Sequence, residues 1–143
     1  MEESELNFFF EDTPELKLST ENYFSWIDSI VNNHNHTLTS LNYIFCSDEY
    51  ILEINKEYLD HDYYTDIITF DNSDEDHLIE GDIFISIDRV KENAETNHTN
   101  FITELNRVIA HGLLHLLGFG DKTEEEKNEM RKNEDACLSL FPN

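Results

Sequence analysis

The sequence is poor in basic residues. Lys and Arg together number 9 against 32 Asp and Glu, and the formal net charge is -23 at pH 7. A surface this acidic repels a polyanion, which excludes binding of naked nucleic acid by bulk electrostatics and gives no reason to expect DNA as a partner. Any nucleic-acid role must therefore depend on a local site.

Long apolar runs and clustered cysteines are also missing. No run approaches the roughly 18 residues needed to cross a bilayer, and the first six residues are acidic where a secretory signal would be basic and then apolar. We therefore expect a cytoplasmic protein with no membrane partner. Cys46 and Cys137 are the 2 cysteines and lack CxxC spacing, which favours reduced thiols over a disulfide framework or a four-thiolate zinc site.

The chain does carry enough apolar residues to fold. Hydrophobic residues make up 38% of its 143 residues, including 10 Phe, 6 Tyr and 1 Trp. That length and content predict one domain with a single core, spanning residues 1–143. We find no internal repeat or Pro/Gly-rich linker that would divide it.

Apolar spacing predicts four strands and five helices in the order β-α-β-α-β-β-α-α-α. Short apolar or β-branched runs predict strands at 6–10, 38–45, 65–70 and 81–87, with an acidic solvated loop at 71–80. Helical periodicity predicts helices that begin at the candidate N-cap Thr20, at 47 or 48, at 89, at 101 and at a capping box starting with Thr123. The order indicates an α+β fold, with about five helices over a four-stranded mixed sheet.

One segment has the spacing of a metal site. His111 and His115 are four residues apart on a predicted helix, so both imidazoles lie on the same face. Gly118 can end the helix in the left-handed conformation, and the reversal would bring the carboxylate of Asp121 toward the imidazoles as a third ligand. Three protein ligands leave a position for water, and such a zinc site makes hydroxide available at neutral pH. The same donors also suit Ni, Co, Fe or Mn, so Zn²⁺ is the preferred assignment among several.

Other interpretations of this segment remain open. Two imidazoles one turn apart can be ordinary packed or solvated side chains, and the metal can be structural. The similarity to extended metallopeptidase motifs is weakened by Gly112, which occupies the position where HExxH carries its general base. The missing side chain at Gly112 suggests room beside the metal for a bulky substrate.

This segment and three segments upstream of it resemble the motifs of a known family. Residues 111–121 match most of the signature HGxLHLxGYDH of the bacterial YbeY endoribonucleases, or rRNA maturation factors. Upstream segments at 54–58, 65–70 and 81–86 are similar to the family's LNxxYR, TDVLSF and GDIxIS motifs. The chain departs from the signature at Asp121, which replaces a third His, and at Leu59, which replaces an Arg able to hold a phosphate.

The resemblance implies metal-dependent cleavage of single-stranded RNA on a zincin-like metal helix. It implies a role in maturation of the 3′ end of small-subunit rRNA and in ribosome quality control, with rRNA and the ribosome or its proteins as partners. Asp66, Asp82 and Ser86 lie at or near strand ends in the matched motifs and are candidates for orienting the catalytic site. Arg107, one turn before His111, is a candidate cation for the RNA.

Two rival functions follow from the same residues. In the first, the protein is a ribosome-assembly factor with a structural metal, and its acidic surface contacts basic ribosomal proteins. In the second, it is a metallopeptidase that lacks the usual Glu.

Overall fold

The computed structural model describes residues 4–59 and 65–142. Within them, four strands and five helices follow the predicted order. Their bounds are β1 (Glu5–Glu11), α1 (Thr20–Asn33), β2 (Thr37–Cys46), α2 (Asp48–Leu59), β3 (Ile67–Asp71), β4 (Leu78–Ser86), α3 (Ile87–Thr96), α4 (Phe101–Leu116) and α5 (Glu124–Ser139).

The strands form one mixed sheet in the order β1-β2-β4-β3. β1 and β2 pair in parallel, as do β2 and β4, whereas β3 pairs antiparallel with β4. Alternate residues of β2 and β4, including Tyr43 and Ile83, are buried on the face that carries the main core, as expected for a period of two. The α+β prediction of a four-stranded mixed sheet with five helices is thereby confirmed.

Helix α4 is fixed against this core by its apolar face. Its residues Leu105, Ile109 and Leu113 are fully buried, and the hydroxyl of Tyr43 on β2 donates to the carbonyl of Ile109 at 3.0 Å. Helix α5 is tied to α1 because the Trp26 indole donates to the carbonyl of Cys137 at 2.7 Å. Helix α2 packs against the opposite face of the sheet, on a smaller cluster that includes buried Ile51 and Ile68.

Element boundaries differ from the predicted ones where a cap or a strand pairing decides them. The N-cap of α1 is Ser19, whose hydroxyl accepts from the Asn22 N–H at 3.2 Å, so the assignment to Thr20 was wrong. β4 begins at Leu78, earlier than predicted, because it continues to pair with β2, and the acidic connection from β3 shortens to 72–77. The capping box at the start of α5 is confirmed, with the Thr123 hydroxyl accepting from the Glu126 N–H at 3.0 Å.

Gly112 allows α4 to approach the sheet closely. A Cβ added there would lie 2.9 Å from Ile67 Cδ1 and 3.0 Å from Ile83 Cγ2, both on strands of the sheet. The suggestion that Gly112 leaves room for substrate was therefore wrong, because its open side faces β3 and β4. Its role here is to let the helix that carries both histidines pack tightly on the core.

Both cysteines are buried and free. Burial raises the pKa of Cys46 to about 12 and that of Cys137 to about 11, so neither thiol is activated for nucleophilic chemistry. In the part of the chain that the structure describes, no helix combines the length and apolar character needed to span a membrane.

Candidate metal centre

The two histidines of α4 present their ring nitrogens to one point. Residues four apart share a helix face, and here His111 Nε2 and His115 Nε2 lie 3.0 Å apart. Their side chains are 23% and 29% exposed, so the shared edge is accessible from solvent.

A reversal after α4 brings the third predicted ligand to the same point. Gly118 has φ +105°, and its N–H donates to the carbonyl of His115 at 3.0 Å. The Phe119 N–H also turns back, donating to the Leu114 carbonyl at 3.0 Å. These bonds close the helix end in the manner of a glycine-terminated helix and confirm the predicted reversal. The Asp121 Oδ2 atom then lies 3.3 Å from both Nε2 atoms.

His111, His115 and Asp121, which we call the ligand triad, fit a tetrahedral transition metal. For zinc bonds of 2.0–2.1 Å, tetrahedral geometry separates neighbouring ligand atoms by about 3.3 Å. The observed separations of 3.0, 3.3 and 3.3 Å match this value closely. Among the described residues, these are the three His, Cys, Asp or Glu side chains whose ligand atoms lie close enough together to hold one metal ion.

The other ring nitrogen of each histidine fixes the tautomer. His115 Nδ1 lies 3.0 Å from the carbonyl oxygen of Phe119, which can only accept, so Nδ1 carries the proton and donates it. His111 Nδ1 lies 2.6 Å from Glu134 Oε2 and donates in the same way. Both Nε2 atoms are thereby left with a lone pair directed at the shared point, the arrangement that metal-binding histidines adopt.

Glu134 is a contributor that the sequence did not identify. Its side chain is 8% exposed and connects α5 to α4 through Arg107 Nη1, 3.0 Å from Oε1, as well as through His111. The guanidinium of Arg107 also pairs with Asp135 at 2.7 Å. One indication was available, since Met130, Glu134 and Cys137 recur at helical spacing in a segment otherwise dominated by charge, and all three are buried.

The carboxylates around His111 oppose the effect of burial on its pKa. Burial lowers the pKa of this imidazole, while the hydrogen bond to Glu134 and the charges of Glu134, Asp121 and Asp66 raise it, and the net pKa lies above its usual value. The environment therefore stabilises positive charge at this position, as expected where a cation is to be held.

The ligand triad opens onto a cavity of about 400 Å³, the metal cavity. It lies between the end of α2, the start of β3 and α4. None of its described lining residues is Lys or Arg, and apart from Asp121 only one of them is acidic. The described lining is Asn55, Leu59, Thr65, Asp66, Ile67, Ile68, Thr69, His111, His115 and Asp121.

Comparison with known proteins shows which family this chain is similar to. The model of the family described as endoribonuclease YbeY matches residues 9–141. The endoribonuclease YbeY of Cytophaga hutchinsonii is 55% identical over 140 residues, covering 98% of each chain. That of Christiangramia forsetii is 46% identical over 141 residues, covering 99% of this chain and 97% of its own.

The chain belongs to the YbeY family. Its fold is also similar to the solution structure of a Thermotoga maritima protein, with a TM-score of 0.68 and 26% identity over 94% of this chain and 88% of that one. The four motifs quoted from the sequence thus lie within a match that covers nearly the whole chain.

Of the other residues predicted for the YbeY site, the structure places one at the metal cavity and three outside its described lining. Asp66 lines the metal cavity, whereas Asp82, Ser86 and Arg107 are not among its described lining residues. Asp82 accepts from Asn42 at 2.9 Å within the sheet. The Ser86 hydroxyl accepts from a backbone N–H at 3.2 Å as the N-cap of α3, so its described contacts are structural.

Replacing Glu134 by Gln is expected to weaken zinc binding by about 10- to 100-fold, the usual cost of disturbing the partner of a metal-binding histidine. The amide keeps the shape of the side chain but removes the negative charge that orients His111. Competition with a zinc chelator of known affinity measures the change. Asp135→Asn is the matched control, because Asp135 also pairs with Arg107 but is 60% exposed and does not contact His111. Equal zinc affinity in the Glu134→Gln variant and the wild type would contradict the prediction.

Proposed function

We propose that this protein is a zinc-dependent endoribonuclease that cuts single-stranded RNA. We further propose that it acts in the cytoplasm on the 3′ end of small-subunit rRNA and in ribosome quality control, with the ribosome as its partner. One observation carries the proposal: three atoms of metal-ligand type, 3.0–3.3 Å apart, lie beside an accessible cavity in a YbeY-family chain.

The ligand triad supplies the donors for one zinc ion and leaves room for a further ligand. A bound zinc ion would act as a Lewis acid toward a phosphate oxygen and lower the pKa of water to about 7. Asp66 is the one carboxylate besides Asp121 among the described residues of the metal cavity, and it lies near enough to raise the pKa of His111. We assign its carboxylate the task of accepting a proton from the attacking water.

The metal cavity suits an unstacked nucleotide. Its volume of about 400 Å³ lies in the range of small-molecule sites, and the side chains of Thr65 and Thr69 offer neutral hydrogen-bonding groups to a base or ribose. A base inside a duplex is stacked and paired and cannot enter such a cavity without leaving its helix. This supports a preference for single strands.

The proposal is tested by metal analysis and RNA digestion on the same preparation. We expect about one zinc per chain, cleavage of a labelled single-stranded RNA, loss of cleavage with a chelator, and recovery when zinc is restored. A perfectly paired duplex of the same sequence should remain intact, and casein should not be digested. Absence of RNA cleavage in both the chelated and the zinc-restored protein would refute the enzyme assignment and favour the assembly factor.

A further inference from the structure

A second cleft adjoins the ligand triad on the side of α5. It is about 200 Å³ in volume and shares His111 and Asp121 with the metal cavity. Unlike the metal cavity, it carries two cations. Its described lining, which defines the α5 cleft, is His111, Asp121, Lys127, Met130, Arg131 and Glu134.

The two cations stand side by side on α5. Lys127 and Arg131 are four residues apart and so share one helix face, on either side of buried Met130. Lys127 forms a loose exposed pair with Glu124 at 3.7 Å, with side chains 57% and 90% exposed, and Arg131 is exposed. Like charges at this spacing destabilise a helix slightly, so folding alone does not favour the arrangement.

The acidic groups that line the α5 cleft together with these cations are already engaged. Glu134 is held between Arg107 and His111. Asp121 is directed at the two imidazoles, with its Oδ2 atom 3.3 Å from each Nε2. The charges of Lys127 and Arg131 are therefore available to an anion that reaches the ligand triad from the α5 side.

The metal cavity and the α5 cleft differ in charge, and this difference indicates which part of an RNA strand each of them suits. The metal cavity offers neutral hydrogen-bonding groups and the carboxylate of Asp66, which repels phosphate. The α5 cleft offers one ammonium and one guanidinium group, those of Lys127 and Arg131, next to the same ligands. A strand crossing the ligand triad would place a base or ribose in the metal cavity and phosphate against α5.

We propose that the α5 cleft binds an RNA phosphate adjacent to the one being cut, with Lys127 and Arg131 supplying the positive charge. The inference rests on the proposed endoribonuclease function but concerns a different contact. It also explains how a chain with net charge -23 and 9 basic residues engages a polyanion, since a local pair of cations replaces a basic surface.

Binding and cleavage of the same labelled single-stranded RNA test the proposal separately. Fluorescence anisotropy measures the RNA affinity of the full metal-free chain in the presence of chelator. The salt concentration is varied from about 50 to about 200 mM, a range over which phosphate contacts weaken strongly. With zinc restored, KM and kcat are measured. Zinc content is measured in every variant.

The Lys127→Ala/Arg131→Ala double variant is expected to bind RNA about tenfold more weakly at the lower salt, as for two exposed ion pairs. The slope of its log affinity against log salt should become shallower by about 0.7, the contribution of one phosphate contact on a single strand. KM should rise with kcat and zinc content nearly unchanged, because neither residue is a zinc ligand. Arg131→Lys, which keeps the charge, should retain most of the affinity.

The matched control is Lys122→Ala/Lys132→Ala, which removes the same charge from the same region but touches neither described cleft. Equal weakening in both double variants would overturn the proposal in favour of bulk charge. So would binding of the Lys127/Arg131 variant within about twofold of the wild type. If the wild type binds RNA through these residues but cuts none, the cleft assignment stands and the enzyme assignment fails.

Discussion

Replacing His115 by Ala is expected to abolish zinc binding and RNA cleavage together while the protein stays folded. The change removes one of three ligand atoms and leaves His111 Nε2 and Asp121 Oδ2 as a weak two-ligand site. Because the ion supplies several kcal/mol of transition-state stabilisation, kcat/KM should fall by about three orders of magnitude, or about 4 kcal/mol. Single-turnover cleavage and metal analysis of the purified variant check this.

The same variant separates a catalytic metal from a structural one. The His115 side chain is partly exposed at the end of α4, and outside the ligand triad its described polar contact is with the Phe119 carbonyl. The free energy of unfolding of the metal-free variant should therefore stay within about 1 kcal/mol of the metal-free wild type. His77→Ala, which changes a 63% exposed histidine away from the ligand triad, is the control and should retain zinc and activity. Unfolding of the His115→Ala variant at 25 °C would support the assembly-factor hypothesis.

Gly112→Glu is expected to unfold or severely destabilise the protein rather than create a peptidase. It restores the residue that HExxH carries at this position, but the new side chain would be forced between α4 and the sheet, against Ile67 and Ile83. An unpaired carboxylate buried there should lower the free energy of unfolding by about 3–5 kcal/mol. That is a large share of the 5–15 kcal/mol by which domains are typically stable, and urea unfolding measures it.

A Glu on the exposed side of the same helix provides the control. Ile102 is 46% exposed, so Ile102→Glu should change the free energy of unfolding by less than about 0.5 kcal/mol. A Gly112→Glu variant with normal stability and zinc-dependent digestion of casein would contradict both the packing argument and the rejection of the metallopeptidase.

Local sequence signals were sufficient for the elements and for the ligand triad. Helical spacing defines the face shared by His111 and His115, and a glycine at the helix end predicts the reversal that brings Asp121 back. All three side chains lie within one short segment, so no tertiary information was needed. Their binding of zinc stays a prediction for the experiments above.

Long-range contacts were outside the reach of the sequence. Glu134 is one of many acidic residues in α5, and only the packing of α5 on α4 selects it as the partner of His111. Gly112 gave no indication of which side it faces, because helix periodicity does not by itself say which neighbour covers a face. For the same reason, Asp82 and Ser86 could be matched by motif although the structure engages them in sheet and cap hydrogen bonds.

The ligand triad lies within eleven consecutive residues, 111–121, which bears on how the proposed zinc would be acquired. Closing so short a stretch costs little chain entropy, and the helix that carries it is anchored by apolar packing independent of the ion. We therefore expect the proposed metal uptake to follow folding, so that chains without an ion stay folded.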